Sequence, residues 1–143
     1  MKKIGITIIV AVMWALAPVQ SMNFNMDFTA VPQVAKSGPV EVYYFHMSRR
    51  CMTCQTVEKV AEEALTENFK QALEKGEIVF KSVNIEDKAN KALLKKLKVS
   101  GQALLVVNGT EKIDITDKGF LYAVNEPAKL KLEIKTHILR FIK

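Results

Sequence analysis

The chain has 143 residues, of which 49% are hydrophobic and 25% are charged. These proportions exclude an intrinsically disordered chain and fit one domain that is long enough to bury a substantial core. The formal net charge of +6 is a mild basic excess without interleaved aromatic residues, so nucleic acid is not an expected partner.

The first 21 residues have the layout of a secretory signal peptide. Lys2 and Lys3 provide a positively charged start, and residues 4–17 carry no charge and are almost wholly apolar. Short side chains at Val19 and Ser21 favour cleavage after Ser21. The apolar run is short for a membrane span, so we expect an exported protein, periplasmic or secreted. The alternative is an uncleaved signal that holds the protein at a membrane.

Residues 22–38 have no clear hydrophobic period, and we interpret them as a linker or N-terminal segment ahead of a domain at 39–143. The near-continuous apolar run over 40–47 predicts a central strand that is covered on both faces. Apolar residues then recur at spacings of three and four, which predicts a helix over 52–73 with a break near Asn68.

An alternating run over 77–85 predicts the second strand. Asp87 is placed to cap a second helix that continues to about Lys98. We expect this β-α-β connection and the one before it to be right-handed crossovers that join parallel neighbouring strands.

The C-terminal part of the chain predicts a hairpin and a helix. Residues 102–107 and 110–116 are the two strands, and Asn108-Gly109 is the turn between them. Asn125 is the expected cap of a last helix over 126–142. The element order is therefore β-α-β-α-β-β-α, an α/β arrangement typical of the minimal thioredoxin-like fold, with a central mixed sheet flanked by helices.

Cys51 and Cys54 are the only two cysteines of the chain, and they lie where the first strand gives way to the first helix. A CxxC pair at that place is typical of thiol–disulfide exchange. A disulfide across so short a loop adds little stability, so redox chemistry explains the pair better than a structural role. We expect Cys51 to be the nucleophile and Cys54, one helical turn later, to be the more buried resolving thiol.

Three features are expected to lower the pKa of Cys51: the N-terminus of the helix, the adjacent charges of Arg49 and Arg50, and His46 at the end of the strand. The alternative is that the arginines are surface charges and that His46 has no role. A tetrahedral zinc site needs about four ligands, and Cys51, Cys54 and His46 supply at most three. We therefore predict no metal and no cofactor other than a redox-active Cys51–Cys54 disulfide.

The segment Tyr43-Tyr44-Phe45-His46 followed by Arg50-Cys51-Met52-Thr53-Cys54 resembles the thioredoxin-like superfamily, and the resemblance extends over 39–143. Together with Lys81-Ser82-Val83-Asn84 it is similar to a small exported family, the thioredoxin-like subunits of nitrophenyl-compound nitroreductase or arsenic-operon systems. This resemblance implies an exported thiol–disulfide oxidoreductase or electron-relay subunit. Its partner would be a protein thiol or disulfide, or a redox partner subunit.

The chain departs from thioredoxins at several positions around the cysteines. Arg50 replaces a tryptophan, Met52-Thr53 replaces Gly-Pro, and Phe45 replaces a buried aspartate. The resemblance places Ser100, Gly101 and Gln102 in the loop that faces the substrate, where thioredoxins have a cis-proline that shields the sulfurs. The absence of that proline favours capture of a thiophilic ion by Cys51 and Cys54.

Two further functions follow from the same residues. One is a dithiol binding module that captures As(III) or Cu(I) without turnover, with His46 as a third ligand. The other is an adaptor with a thioredoxin-like fold whose disulfide is incidental. The spacing of the cysteines does not determine whether the pair acts as oxidant, reductant or isomerase.

Overall fold

The computed structural model describes residues 38–142, and it has the predicted α/β architecture of a mixed four-stranded sheet flanked by helices. The signal predicted over 1–21 lies outside the described residues, as does the linker over 22–38 apart from Gly38. Within residues 38–142, none of the helices combines the length and the hydrophobicity that crossing a membrane requires.

The elements follow the predicted order with one addition, the short helix α3. In chain order they are β1 (Val40–His46), α1 (Met52–Glu74), β2 (Ile78–Asn84), a 3-10 turn (Lys88–Asn90) that leads into α2 (Lys91–Leu97), β3 (Ala103–Asn108), β4 (Glu111–Asp114), α3 (Thr116–Tyr122) and α4 (Pro127–Leu139). The hairpin between β3 and β4 is confirmed, although its loop is Gly109-Thr110 because Asn108 still pairs with Glu111. Gly109 has a φ of 59°, which suits the first loop position of such a turn.

The strands are arranged in the order β2-β1-β3-β4. β1 pairs with β2 in parallel, as predicted, but it pairs with β3 in antiparallel, with Phe45 opposite Ala103. The prediction that both β-α-β connections join parallel strands is therefore wrong for the second connection.

The short connection between β2 and β3 explains this difference. A parallel crossover must carry the chain back along a strand of seven residues, which spans about 23 Å. The seven residues of α2 cover only about 10 Å. The chain therefore enters β3 at the end of the sheet where β1 and β2 finish, which is the end that carries Cys51.

β1 is the centre of the core because both of its faces are buried. Val40, Val42 and Tyr44 pack against α1 and α4, and Tyr43 and Phe45 pack on the opposite face, which α2 covers. This arrangement confirms the central strand that the apolar run predicts. It also fixes the position of His46, where β1 ends and the approach to Cys51 begins.

Helix α1 is kinked at Phe69, whose φ of −136° and ψ of 27° are not helical. The break predicted near Asn68 is therefore confirmed. Asn68 contributes to it because its side-chain amide donates to the carbonyl of Ala64 at 2.8 Å, which competes with the backbone hydrogen bonds of the helix.

Two predictions near the C-terminus are wrong. β4 ends at Asp114, so the strand predicted over 110–116 is too long, and Thr116 instead begins α3. The Thr116 hydroxyl accepts a hydrogen bond from the backbone of Leu104 at 3.0 Å, which replaces strand pairing at that point of β3. α4 is capped by Glu126 and not by Asn125, and no side-chain hydrogen bond closes its first turn.

Gly119 allows α3 to pack closely on the sheet. A Cβ at this position would lie 3.3 Å from Cδ2 of Leu104 and 3.5 Å from Cγ1 of Val57, and both neighbours are fully buried.

We predict that Gly119→Val lowers the free energy of unfolding by about 1–3 kcal/mol, because a branched side chain does not fit this contact. Urea unfolding measures the change. Gly38→Val is the control, since within residues 38–142 no atom beyond its chain neighbours lies within 4 Å of a Cβ there. Equal stability of the two variants would contradict the packing.

Candidate functional site

Cys51 is the N-cap of α1. Its backbone is extended, with φ −76° and ψ 167°, and its sulfur accepts a hydrogen bond from the backbone N–H of Cys54 at 3.3 Å. The first N–H groups of a helix have no partner within the helix, so a side-chain acceptor at the N-cap satisfies one of them. The Cys51 sulfur is solvent-exposed and lies where the helix favours negative charge.

Cys54 lies one turn further along α1 and is 3% exposed. Its thiol donates to Oε1 of Gln102 at 3.3 Å. Both cysteines are free thiols. The pair therefore combines an accessible sulfur with one that is enclosed between α1 and the residue that precedes β3.

The two sulfurs differ in acidity. Hydrogen bonds from the Cys54 thiol and then from the Cys54 backbone N–H lower the pKa of Cys51. Burial raises the pKa of Cys54, and the hydrogen bond between its thiol and Cys51 adds to the rise. Cys51 is thus the sulfur that ionises more readily, while Cys54 keeps its proton.

The single thiol proton of Cys54 is donated to Gln102, and donation from the same thiol to the Cys51 thiolate lowers the pKa of Cys51. A hydrogen bond to a charged acceptor is stronger than one to a neutral amide oxygen. Ionisation of Cys51 therefore favours donation from Cys54 to the Cys51 thiolate, and a neutral Cys51 favours donation to Gln102. The protonation state of one sulfur is linked in this way to the hydrogen bond that the other makes.

Arg50 and Arg49 lie in different surroundings. The guanidinium of Arg50 forms an ion pair with Glu58 on α1 and lies 5.9 Å from the centroid of the Tyr44 ring. Arg49 is exposed, and no ion pair involves it within the described part of the chain. The charge of Arg50 is thus directed at Glu58 and Tyr44, whereas the hydrogen bonds within the Cys51–Cys54 turn account for the low pKa of Cys51.

His46 is turned towards the end of its own strand. Its Nδ1 lies 2.9 Å from the carbonyl oxygen of Met47, and its ring stacks on Tyr44 with centroids 6.0 Å apart. Among residues 38–142 no group of three or more His, Cys, Asp or Glu side chains is arranged to hold a metal ion. His46 is therefore not assembled with Cys51 and Cys54 as a third ligand.

The loop predicted to face a substrate lies beside the cysteines. Ser100 is exposed, Gly101 and Gln102 are half-buried, and the pairing of Phe45 with Ala103 places all three at the end of β1. A cavity of about 500 Å³ adjoins this loop and extends to the start of α3. Gln102 connects the cavity to the site, since it both lines the cavity and bonds to Cys54.

The loop before Cys51 is held by two residues to which the sequence assigned no role in the site, Glu86 and Asn84. Glu86 accepts a hydrogen bond from the backbone N–H of Ser48 at 2.8 Å, and Asn84 donates from its side chain to the Ser48 hydroxyl at 2.9 Å. Asn84 is the last residue of β2, the parallel neighbour of β1, and Glu86 lies two residues beyond it. The second strand thus fixes the loop that leads to Cys51.

Tyr44 and Glu58 are also part of the site, and sequence reasoning missed both. Tyr44 is fully buried on the face of β1 that α1 covers, and Glu58 on α1 pairs with Arg50, which precedes the helix. An aromatic residue in an apolar strand and an acidic residue on a helix are both common, so neither pattern marks a functional residue. Only the folded arrangement brings them to the cysteines.

Comparison with known proteins found no matching family model, no matching curated protein and no matching solved structure. The described fold and the neighbouring Cys51 and Cys54 are compatible with a thioredoxin-like protein. Membership of the superfamily and of the small exported family stays a prediction.

We predict that iodoacetamide alkylates Cys51 first, with a rate that follows a pKa below the usual value of about 8.5. In Cys54→Ala this pKa should rise, because the thiol donor is lost while the backbone donor remains. Cys54→Ser is the matched control, since its hydroxyl can still donate. The rate is measured by mass spectrometry against pH, and an identical pH profile in all three proteins would remove the Cys54 thiol from the account.

We predict that Glu86→Ala increases the hydrogen-exchange rate of the Ser48 amide. Hydrogen bonds from Ser48 hold the pKa of Glu86 below its ordinary value, so this contact stabilises the loop above the unfolded pKa of about 4.3 and is lost as the pH falls through the lower folded pKa. In the wild type, protection of Ser48 should fall over that acidic range. Exchange is followed by NMR with Glu62→Ala, an exposed site, as control; unchanged protection in Glu86→Ala would show that the loop does not depend on Glu86.

Proposed function

We propose that the protein is an exported thiol–disulfide oxidoreductase or electron-relay subunit of the thioredoxin-like type. The observation that carries this proposal is the difference between the two sulfurs. Cys51 is exposed at a helix N-terminus with a lowered pKa, and Cys54 is buried one turn later with a raised pKa. Disulfide exchange requires an accessible thiolate that attacks and a nearby protonated thiol that later resolves the mixed disulfide.

The proposed cycle uses the two sulfurs in turn. The Cys51 thiolate attacks a partner disulfide, forms a mixed disulfide with one partner sulfur and releases the other as a thiolate. Cys54 then loses its proton and attacks Cys51, so that the Cys51–Cys54 bond forms as the bond to the partner breaks. The partner leaves with both electrons, reduced, and the protein is oxidised. The reverse steps oxidise a partner dithiol.

The surroundings of Cys51 support a protein as the partner. Met52, the neighbour of Cys51 in the chain, is 82% exposed, and Met47, in the loop that leads to Cys51, is 42% exposed. Flexible methionine side chains adapt to varied apolar surfaces. We propose that the partner is a protein thiol or disulfide, or the redox subunit of a complex of the kind that the small exported family implies.

The electrons are carried by the sulfurs themselves in this proposal, which includes no further cofactor and no resident metal. Export rests on the sequence pattern of residues 1–21 alone. Determination of the N-terminus of the protein recovered from its native compartment tests this part, and a start at Met22 is the expected result.

We predict that oxidised glutathione forms a lasting adduct on Cys54→Ala and none on Cys51→Ala. Removal of Cys54 leaves the mixed disulfide on Cys51 with no resolving thiol, and removal of Cys51 leaves only a buried thiol with a raised pKa. Intact mass under non-reducing conditions measures the adduct.

The outcome that contradicts the assigned roles is an adduct on Cys51→Ala with none on Cys54→Ala. If the wild-type pair never forms a disulfide but binds As(III) or Cu(I) tightly, the dithiol capture function replaces oxidoreduction. If both variants keep partner binding unchanged, the adaptor function replaces it.

A further inference from the structure

Tyr44 carries a hydroxyl group that is buried at the site without a hydrogen bond. The residue is 0% exposed, and its hydroxyl oxygen has no hydrogen-bond partner among residues 38–142. Buried polar groups are nearly always hydrogen-bonded, because an unpaired one destabilises the folded state. A donor left unpaired beside a reactive pair requires an explanation in terms of the chemistry of that pair.

Tyr44 lies on the face of β1 that is covered by α1, the helix that carries Cys54, and the guanidinium of Arg50 lies 5.9 Å from the centroid of its ring. Burial raises the pKa of Tyr44 well above its ordinary value, the negative charge of Cys54 adds to the rise, and Arg50 opposes it. Arg50 is itself neutralised by Glu58. The Tyr44 hydroxyl therefore stays protonated throughout the cycle, and it can donate a hydrogen bond but does not act as a base.

When the mixed disulfide is resolved, Cys54 becomes a thiolate, and this thiolate is an acceptor for the Tyr44 hydroxyl. Cys54 must become a thiolate while it is almost fully buried, and burial opposes that charge. In the thiol form it donates to the carbonyl oxygen of Gln102, so the Gln102 amide must turn before its NH2 group can donate to a thiolate. The helix N–H that stabilises negative charge is already bound to Cys51. The Tyr44 hydroxyl is a donor on the sheet side that requires no rotation of the Gln102 amide and has no other acceptor among the described residues.

We propose that the Tyr44 hydroxyl donates a hydrogen bond to the Cys54 thiolate and so accelerates resolution of the mixed disulfide. This inference rests on the proposed function. In the step concerned, the Cys54 proton passes to solvent, the Cys54 sulfur bonds to the Cys51 sulfur, the bond from Cys51 to the partner sulfur breaks, and its electron pair leaves with the partner. Tyr44 stabilises the charge at Cys54 and exchanges no electrons.

The two steps of the cycle can be measured separately by mixing the reduced protein with one equivalent of an aromatic disulfide, dithiobis(nitrobenzoate). Attack by Cys51 releases a first coloured thionitrobenzoate, and resolution by Cys54 releases a second. We expect Tyr44→Phe to slow the second release about 10-fold or more while the first is unchanged, since a hydrogen bond to a charged group is lost only in resolution. Stopped-flow absorbance records both releases.

Tyr43→Phe is the matched control, because it removes the neighbouring hydroxyl on the opposite face of the same strand. That hydroxyl lies 3.4 Å from Nζ of Lys81 and away from the cysteines. Both releases should proceed in this variant as in the wild type. Thermal unfolding of the reduced proteins gives a second readout: Tyr44→Phe should be at least as stable as the wild type, because it removes an unpaired buried group.

Equal second-phase rates in Tyr44→Phe and the wild type would overturn the inference, and so would equal slowing of both phases in a folded variant. Absence of a second release in the wild type would instead refute the proposed function itself. Should Tyr44→Phe fail to fold, fluorotyrosine incorporated in a Tyr43→Phe, Tyr122→Phe background labels Tyr44 alone, since the chain has three tyrosines. The more acidic hydroxyl should then accelerate the second release, and no acceleration would overturn the inference.

Discussion

The position of strand β1 is the constraint on which the site depends. It is hydrogen-bonded to β2 on one side and to β3 on the other, and its side chains are buried on both faces. A shift of one residue would exchange the two faces and place Tyr44 in the packing site of Phe45, so the register is strongly fixed. The end of β1 at His46 therefore determines where the chain turns towards α1, and with it where Cys51 lies.

The chemistry of the site follows from how three other elements meet that end. α1 begins at Met52 and supplies the N–H that binds the Cys51 sulfur. β2 leads to Glu86, which holds the intervening loop. β3 begins beside Phe45, so that Gln102 reaches Cys54. The burial that raises the pKa of Cys54 therefore depends on how these elements meet, whereas the lowered pKa of Cys51 arises within the Cys51–Cys54 turn.

Local patterns predicted much of this arrangement. The apolar run of β1, the helical stripe of α1 and its break near Asn68 each depend on neighbouring residues, and the structure agrees with them. Helix α3 escaped prediction because it has seven residues with a glycine in the middle, which lowers helix propensity, and because it is stabilised by packing on Leu104. The direction of β3 was not predicted, because it depends on α2 being too short to carry the chain back to the other end of the sheet.

In the candidate site, too, local sequence predicted some residues, whereas others depend on the folded arrangement. Cys51 and Cys54 are visible in the sequence because their spacing and their place at a strand–helix junction are local properties. The partner of Arg50 cannot be read from the sequence. Its position next to Cys51 predicts a contact with that sulfur, whereas in the folded chain the guanidinium pairs with Glu58. Tyr44 belongs to the site only because β1 is buried on the face that α1 covers.

The most direct test of the account is the reduction potential of the Cys51–Cys54 pair in a glutathione titration of the mature protein, read by alkylation and mass. We expect one reversible two-electron transition, with a potential between about −120 mV, typical of a strong oxidant, and about −270 mV, typical of a reductant. A pair that remained reduced, or remained oxidised, across the whole titration would contradict redox function at this site.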